Sequence, residues 1–308
     1  MTGEDSGGAS VPPRPHFDPA LGDGWVEIGD GRRFWGRFGA AGLLLRDPDG
    51  RILLQHRVSW SHFGDTWGLP GGARHPDETA FEAALRESGE EAGVPPELVL
   101  PVLSSVVTIG PWSYSTVVAS AVEHFEPRIM DAESSELRWV APDEVEELPL
   151  HPGFGASWSG LRSLDSAMPV LVVDAANVVG SRPDGWWRDR AGAARRLVES
   201  LGRLAAVGLP GDVVGLEVHT VWPRIVVVLE GEARAADTAD VLASAPQGRF
   251  VVETAAASGD DAIVGVVSTL GPLARVVTAD RGLISRIQAL GASAVGPRTL
   301  LDLLERGE

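Results

Sequence analysis

The 308 residues contain no cysteine, which excludes a disulfide framework and any thiolate metal site, and no apolar run reaches the length of a bilayer span. From Pro169 onward 17 acidic residues stand against 14 basic ones, a net of −3, so the first 168 residues carry −14 of the total −17. That field makes the first half a poor non-specific nucleic-acid binder, whereas the near-neutral second half has room for an arginine stripe.

Such a length suggests two domains. Residues 1–20 open Gly-, Pro- and Ser-rich, without the apolar core of a secretory signal. A disordered tail is expected there, and the cytoplasm is the default location.

Strands are expected from Trp25 to Trp35 around a Gly-Asp-Gly turn. Ala40–Arg46 is a continuous apolar run, as a strand covered on both faces would be. Asp47-Pro48-Asp49-Gly50 is a hairpin turn, and Arg51–Arg57 returns. Arg57 is a candidate phosphate contact or a plain surface ion-pair partner. Trp60, His62 and Trp67 follow, and Trp67 could stack on a base or fill the core.

Next comes Gly72, five residues, Glu78, seven residues, Arg86-Glu87, two residues, Glu90-Glu91, one residue and Gly93. The middle reads as a helix, with Thr79 and Glu82 forming a capping box and Gly93 as the stop. Positions three and four apart share a face, so Glu87, Glu90 and Glu91 should converge. Three like charges at that spacing repel, and a hard divalent cation resolves the repulsion; Mg2+ suits it, Mn2+ being the alternative. Arg86 can reach back to Glu78 and anchor the helix to its loop. A solvated acidic helix face is the bland alternative.

Over residues 35 to 150 this pattern resembles the Nudix (MutT-type) box, Gly-x5-Glu-x7-Arg-Glu-U-x-Glu-Glu-x-Gly-U with U apolar. Gly72, Glu78, Arg86, Glu87, Glu90, Glu91, Gly93 and Val94 match; Ser88 departs at the first U, a packing position. The resemblance implies an α/β/α sandwich with a mixed sheet in residues 21–154. It implies metal-dependent hydrolysis of a pyrophosphate bond in a nucleoside diphosphate derivative or nucleoside triphosphate. Glu87, Glu90, Glu91 and Gly72 would hold the ion, Arg57, Trp67 and Arg86 the substrate, while Glu78, Arg86 and Gly93 would be structural. Glu90, Glu91 or an acid further on, Glu133 or Glu136, would serve as base.

Val102–Ile109 and Ser113–Val122 read as a strand pair turned at Gly110-Pro111, and Glu133–Val140 turns strand-like. A short helix opens at Pro142, and residues 155–168 read as a linker with a helical end. Residues 169–308 alternate strands and helices, which implies a Rossmann-like, mostly parallel sheet. Strands are expected at 169–173, 213–221, 224–230, 249–254 and 274–278, and helices at 190–206, 235–243, 262–270, 283–290 and 299–305.

Ligands of open parallel sheets bind beyond the C-terminal strand ends. Asp174, Glu230 and Asp280 lie at such ends, and Asp260-Asp261 open a helix, so these acids would gather at one edge; ordinary turn and cap chemistry is the alternative. Val-Val-Asp174-Ala-Ala-Asn177, Gly259-Asp260-Asp261 and Thr-Ala-Asp280-Arg281 resemble the strand-end motifs of PIN-like nucleases of the NYN branch, over residues 169 to 298. The resemblance implies metal ligands at Asp174, Asp260, Asp261 and Asp280, with Asn177, Glu230 and Arg281 as further candidates, and RNA as substrate. Trp186-Trp187 could stack on an unpaired base or pack inside. A binding module without chemistry is the third reading of this half.

Overall fold

The computed structural model describes residues 18–29, 31–164, 168–245 and 248–306. The disorder expected of the tail falls, up to residue 17, outside the described residues. The chain divides into two compact units, Met1–Leu164 and Asp165–Glu308. Among the described residues no helix is long and apolar enough to cross a membrane.

In the first unit β1 (Trp25–Glu27) and β2 (Arg33–Trp35) form an antiparallel hairpin. Then come β3 (Ala40–Arg46), β4 (Ile52–Arg57), β5 (Trp67–Gly68), β6 (Gly71–Ala73), α1 (Ala80–Ala92), β7 (Val99–Ile109), β8 (Trp112–Ala121), β9 (Ser134–Val140) and α2 (Pro152–Ser163). The sheet runs β7-β8-β3-β4-β5, with β6 on β3 and β9 on β4. Only β3 and β8 pair in parallel among these strands, so the sheet is mixed.

One feature of the pairing opens the sheet. β3 meets β4 only at Arg46 and Ile52, because residues 40–42 pair instead with β6. β4 runs along β9 from Ile52 to Arg57. The sheet therefore parts between β3 and β4, and the Pro70 carbonyl, accepting from the Leu43 amide at 2.9 Å, stitches the opening at its root.

Helix α1 covers this sheet for reasons written in its residues. Thr79 and Glu82 complete the capping box, and Gly93 ends the helix in the left-handed region at φ 65°. Ala83, Ala84 and Ala92 pack on Leu43, Leu45 and Val117, all essentially buried. Their small size lets the helix lie close to the strands, and each large side chain buried there contributes roughly 1.5–3 kcal/mol. Ser88, the departure from the apolar pattern, is fully buried, and its hydroxyl donates to the Leu85 carbonyl at 3.0 Å. The docking face tolerates it because its polar group is satisfied within the helix.

The stretch read as a linker, 155–168, is mostly helix: α2 starts at Pro152 and buries Phe154, Trp158 and Leu161. His151 caps it through the Gly153 amide, and Pro152 sits at N1, where its missing N–H costs nothing.

The second unit contains β10 (Val170–Asp174), α3 (Ala175–Gly180), α4 (Arg190–Val207), β11 (Leu209–Pro210), β12 (Thr220–Val221), β13 (Arg224–Leu229), α5 (Ala239–Ser244), β14 (Phe250–Thr254), α6 (Gly259–Leu270), β15 (Ala274–Val277), α7 (Arg281–Gln288), β16 (Ser293–Val295) and α8 (Pro297–Arg306). Its sheet, β14-β13-β10-β15-β16, is parallel throughout. Alternate residues of β10 enter opposite cores: Leu171 and Val173 on one face, Val170 and Val172 on the other. That is why the strand reads as an unbroken apolar run.

The structure departs from one expectation here and adds two details. Val213–Val221 is not a strand: residues 211–214 make a 3-10 turn, Gly215 ends it at φ 77°, and only Thr220-Val221 is extended, against Leu209-Pro210. A further strand, β16, lies parallel to β15; three residues, two of them exposed, gave no apolar signal. Helix α6 is capped by Ser258, with Asp260 and Asp261 inside its first turn.

Candidate active site

Arg86 organises the loop before α1. Its Nε and Nη2 donate to the two carboxylate oxygens of Glu78 at 2.8 and 2.9 Å, Nη2 also reaches the Ala73 carbonyl at 2.9 Å, and Nη1 reaches Glu87 at 2.8 Å. Burial works against the charged form of Glu78, but the Arg86 bonds and the His75 amide outweigh it and hold this carboxyl below its usual range. Arg86 thus ties both loop and helix, and its fork is spent on protein rather than left for substrate.

The three glutamates of the helix have different surroundings. Glu91 is 6% exposed, and its Oε2 accepts the Gly71 amide at 2.8 Å. Burial, with Glu87 and Asp131 adding to it, pushes its carboxyl well above the ordinary value. Burial pushes Glu87 up to about 7 against the pull of Arg86. Gly72 leaves room for this carboxyl, since a Cβ there would come 2.6 Å from the Glu87 carboxyl carbon and push it aside. Glu90 is turned to solvent, with its side chain 63% exposed and one long contact to Arg86 at 3.4 Å.

The partners of Glu91 come from a segment without regular structure. The amides of Arg128 and Met130 donate to the carbonyls of Ala92 and Glu91, so the chain runs along the C-terminal end of α1, where helix carbonyls lack partners. This brings Asp131 and Glu133 beside Glu91: one oxygen of each lies within 4.8 Å of the others. Asp131 is anchored by the Glu133 amide at 3.1 Å and the Ser134 hydroxyl at 3.2 Å. Burial raises the carboxyls of both Asp131 and Glu133. Arg57 faces the group, with Nη2 4.0 Å from Glu133 and Nε on the His62 carbonyl at 3.3 Å. The oxygen-only donor set fits a hard divalent cation.

Two expected residues belong elsewhere. Glu136 is bound by Arg138 at 2.7 Å on the exposed side of β9 and is not part of the cluster. Trp67 is 4% exposed, with His56 beside its ring and the Arg138 guanidinium 4.7 Å above it, which closes the ring to a stacking base. Asp131 escaped sequence reading because neither a helix nor a strand frames it. The aromatic neighbours of Arg57 are instead His62, Phe63 and His151, in edge contacts at 4.2 and 4.9 Å. Burial first, then Arg57 and His62, pushes the His151 imidazole down to about 4, so it is neutral at pH 7.

In the second unit the acids do gather at one sheet edge, but their oxygens serve the backbone. Asp174, 8% exposed, accepts the Asn177 amide at 3.0 Å and the Thr278 hydroxyl at 2.9 Å. Asp280 caps α7 through the Leu283 amide, Glu230 accepts the Gly259 amide, and Asp261 pairs with Arg286 at 2.6 Å. Asn177 accepts the Ala279 amide, and Arg281 is exposed at the start of α7. Burial, then Asp280 and Glu230, raises Asp260. Trp187 is 55% exposed, and Arg190 lies 5.5 Å over the Trp186 ring.

Comparison with known proteins places the first unit. The family model of the NUDIX domain matches residues 36–158. The putative 8-oxo-dGTP diphosphatase 3 of Mycobacterium tuberculosis is 52% identical over 164 residues, which cover 50% of this chain and 75% of that protein. The CTP pyrophosphohydrolase of Escherichia coli is 28% identical over 133 residues, 40% of this chain and 90% of that protein. A Nudix hydrolase crystal structure from M. smegmatis, RenU, is 50% identical and covers 46% of this chain and 94% of that one, with a TM-score of 0.44. Through the matched domain and a 52% identical relative spanned over three quarters of its length, the chain belongs to the Nudix hydrolase family.

Proposed function

We propose that the first unit hydrolyses the pyrophosphate bond of a nucleoside triphosphate or nucleoside diphosphate derivative, with a divalent cation, Mg2+ or Mn2+. One observation carries the proposal: buried Glu91 meets Asp131 and Glu133 beside Arg57, where the sheet parts. Glu91, Asp131 and Glu133 would hold the ion, with Glu87, Glu90 and the Gly72 loop alongside. When bound, the cation polarises the phosphoryl group and offsets charge in the transition state. Arg57 binds a phosphate oxygen, and Glu133 takes the proton from the attacking water. Glu133 replaces Glu136 in that role because it faces the cluster while Glu136 is held by Arg138. The 8-oxo-dGTP activity in the name of the mycobacterial relative favours an oxidised purine triphosphate. The rings of Phe63, His62 and His151 are the surfaces offered to its base.

The test is hydrolysis of 8-oxo-dGTP, dGTP, CTP and ADP-ribose by the full chain, with and without Mg2+. Glu90→Gln and Glu91→Gln should lose turnover with the fold intact. Wild-type turnover in both would overturn the assignment.

A second reading concerns residues 169–308, for which we infer a PIN-like, NYN-type domain with metal-dependent ribonuclease activity. In the order β14-β13-β10-β15-β16 the strands are laid down first to one side of β10 and then to the other, so the order switches between β10 and β15, where open parallel sheets bind ligands. Asp174 ends β10, and Asp280 follows β15. Asp174→Asn or Asp280→Asn should abolish Mg2+-dependent cleavage of labelled RNA and leave nucleotide hydrolysis unchanged. RNA left uncut by the wild-type chain would instead favour the binding-module reading.

A further inference from the structure

Tyr114 is a group that the family resemblance does not use. It is the chain's single tyrosine, on β8 opposite Ala40 of β3. Its hydroxyl lies over Gly42: a Cβ on Gly42 would sit 2.1 Å from the Tyr114 oxygen and 3.4 Å from the Pro70 carbonyl oxygen. Gly42 in turn abuts Gly71, whose added Cβ would meet the Gly42 Cα at 2.5 Å. The Gly71 amide is the one that binds Glu91. Two glycines therefore clear a space that the Tyr114 hydroxyl enters from one strand and the Glu91 carboxylate from the helix. Burial, with Glu91 and Glu87 acting in the same direction, raises the phenol above its ordinary range, so it keeps its proton. Side-chain hydrogen bonds of Glu91, Glu87 and Arg57 go to other groups, and the Tyr114 hydroxyl has no hydrogen-bond partner among the described residues.

The ring is only partly buried and its hydroxyl stays open to solvent, so an incoming oxygen can reach it. A donor left open beside carboxylates and an arginine suits an anionic oxygen brought in by a ligand. We propose that Tyr114 is a substrate-binding residue whose hydroxyl donates to a phosphate oxygen of the diphosphate at the Glu91 site. The proposal rests on the diphosphate reading of that site. Gly42 is then a functional glycine, since any side chain there displaces the hydroxyl.

A lone tyrosine gives a single Cζ resonance in full-length protein labelled with 13Cζ-tyrosine. Imidodiphosphate with Mg2+ is the probe, and calorimetry reports its binding independently. The resonance should move as the probe saturates, and Tyr114→Phe should weaken probe affinity about tenfold, within the worth of a hydrogen bond to a charged group. Mg2+ affinity without the probe should stay unchanged. A resonance that stays still while calorimetry shows binding, or a Phe variant that binds as wild type, overturns the proposal and leaves the diphosphate site standing. No binding by wild type overturns both. If the Phe variant misfolds, the resonance of the wild-type chain still decides.

Discussion

Lowering the pH from 8 to 6 should weaken divalent-ion binding about tenfold through Glu87 alone. Burial holds this carboxyl up at about 7, against the opposing pull of Arg86. At pH 6 about one Glu87 in ten is ionised, and at pH 8 about nine in ten. An ion that needs the carboxylate must displace that proton, at a cost of about 1.4 kcal/mol between the two pH values. Glu91, also raised by burial, steepens the dependence. The sign for stability is the reverse. A folded-state value above the unfolded one means that the metal-free fold binds more protons between about 4.5 and about 7. The stabilisation from Glu87 is therefore complete below about 4.5 and lost as pH rises through about 7, where a bound cation restores it. Calorimetric Mg2+ titrations in two buffers of different protonation enthalpy count the protons released. About one or more per ion is expected at pH 6 and fewer at pH 8. Glu87→Gln should flatten the slope by about one proton. A dissociation constant that does not change from pH 6 to 8, or a Gln variant with the full slope, would refute the reasoning.

Glu133→Gln should cost about 10²- to 10⁴-fold in kcat while Glu136→Gln stays near wild type, measured as phosphate release at saturating Mg2+; equal losses would return the base to β9. Arg86→Ala should destabilise the first unit by about 3–5 kcal/mol, because it strands Glu78 without its charged partner and the Ala73 carbonyl without a donor; urea midpoints read this directly. His151 is held at about 4, below its unfolded value of 6.5, so the unfolded chain binds more protons between those values. Its contribution is present above about 6.5 and lost as pH falls toward 4, and His151→Asn should remove that part of the acid-side slope in denaturant midpoints.

The box helix was legible because its information is local. Thr79, Glu82 and Gly93 specify both ends, and the Glu78–Arg86 pair spans a loop and two turns. β3 and β10 were legible because a strand covered on both faces must be apolar throughout. The rest depended on contacts distant in sequence. Asp131 gains its position from the bare C-terminal carbonyls of α1, about forty residues away in the chain, which no spacing rule reaches. The fate of Trp67 was decided by Arg138 on β9, and that of Glu136 by the same arginine. The strand expected at 213–221 was a run of valines interrupted by Gly215, whose left-handed backbone ends the extended path whatever the flanking propensity.

The two acidic groupings differ in a way that composition conceals. At the sheet edge of the second unit three carboxylates already accept from a backbone amide or a neighbouring side chain: Asp174 from Asn177 and Thr278, Asp280 from Leu283, Glu230 from Gly259. A cation there competes with caps that hold helices in place, so its removal leaves satisfied groups behind. In the first unit Asp131, Glu133 and Glu91 are crowded and partly desolvated, and Arg57 is the one cation whose attraction lowers all three carboxyls. Like charges so placed remain ionised only when a positive ion joins them; otherwise they take up protons. The cluster of the first unit thus depends more on a ligand than the acids of the second unit, whose caps already occupy three of their carboxylates. Divalent ions should accordingly raise the melting temperature of the first unit more than that of the second.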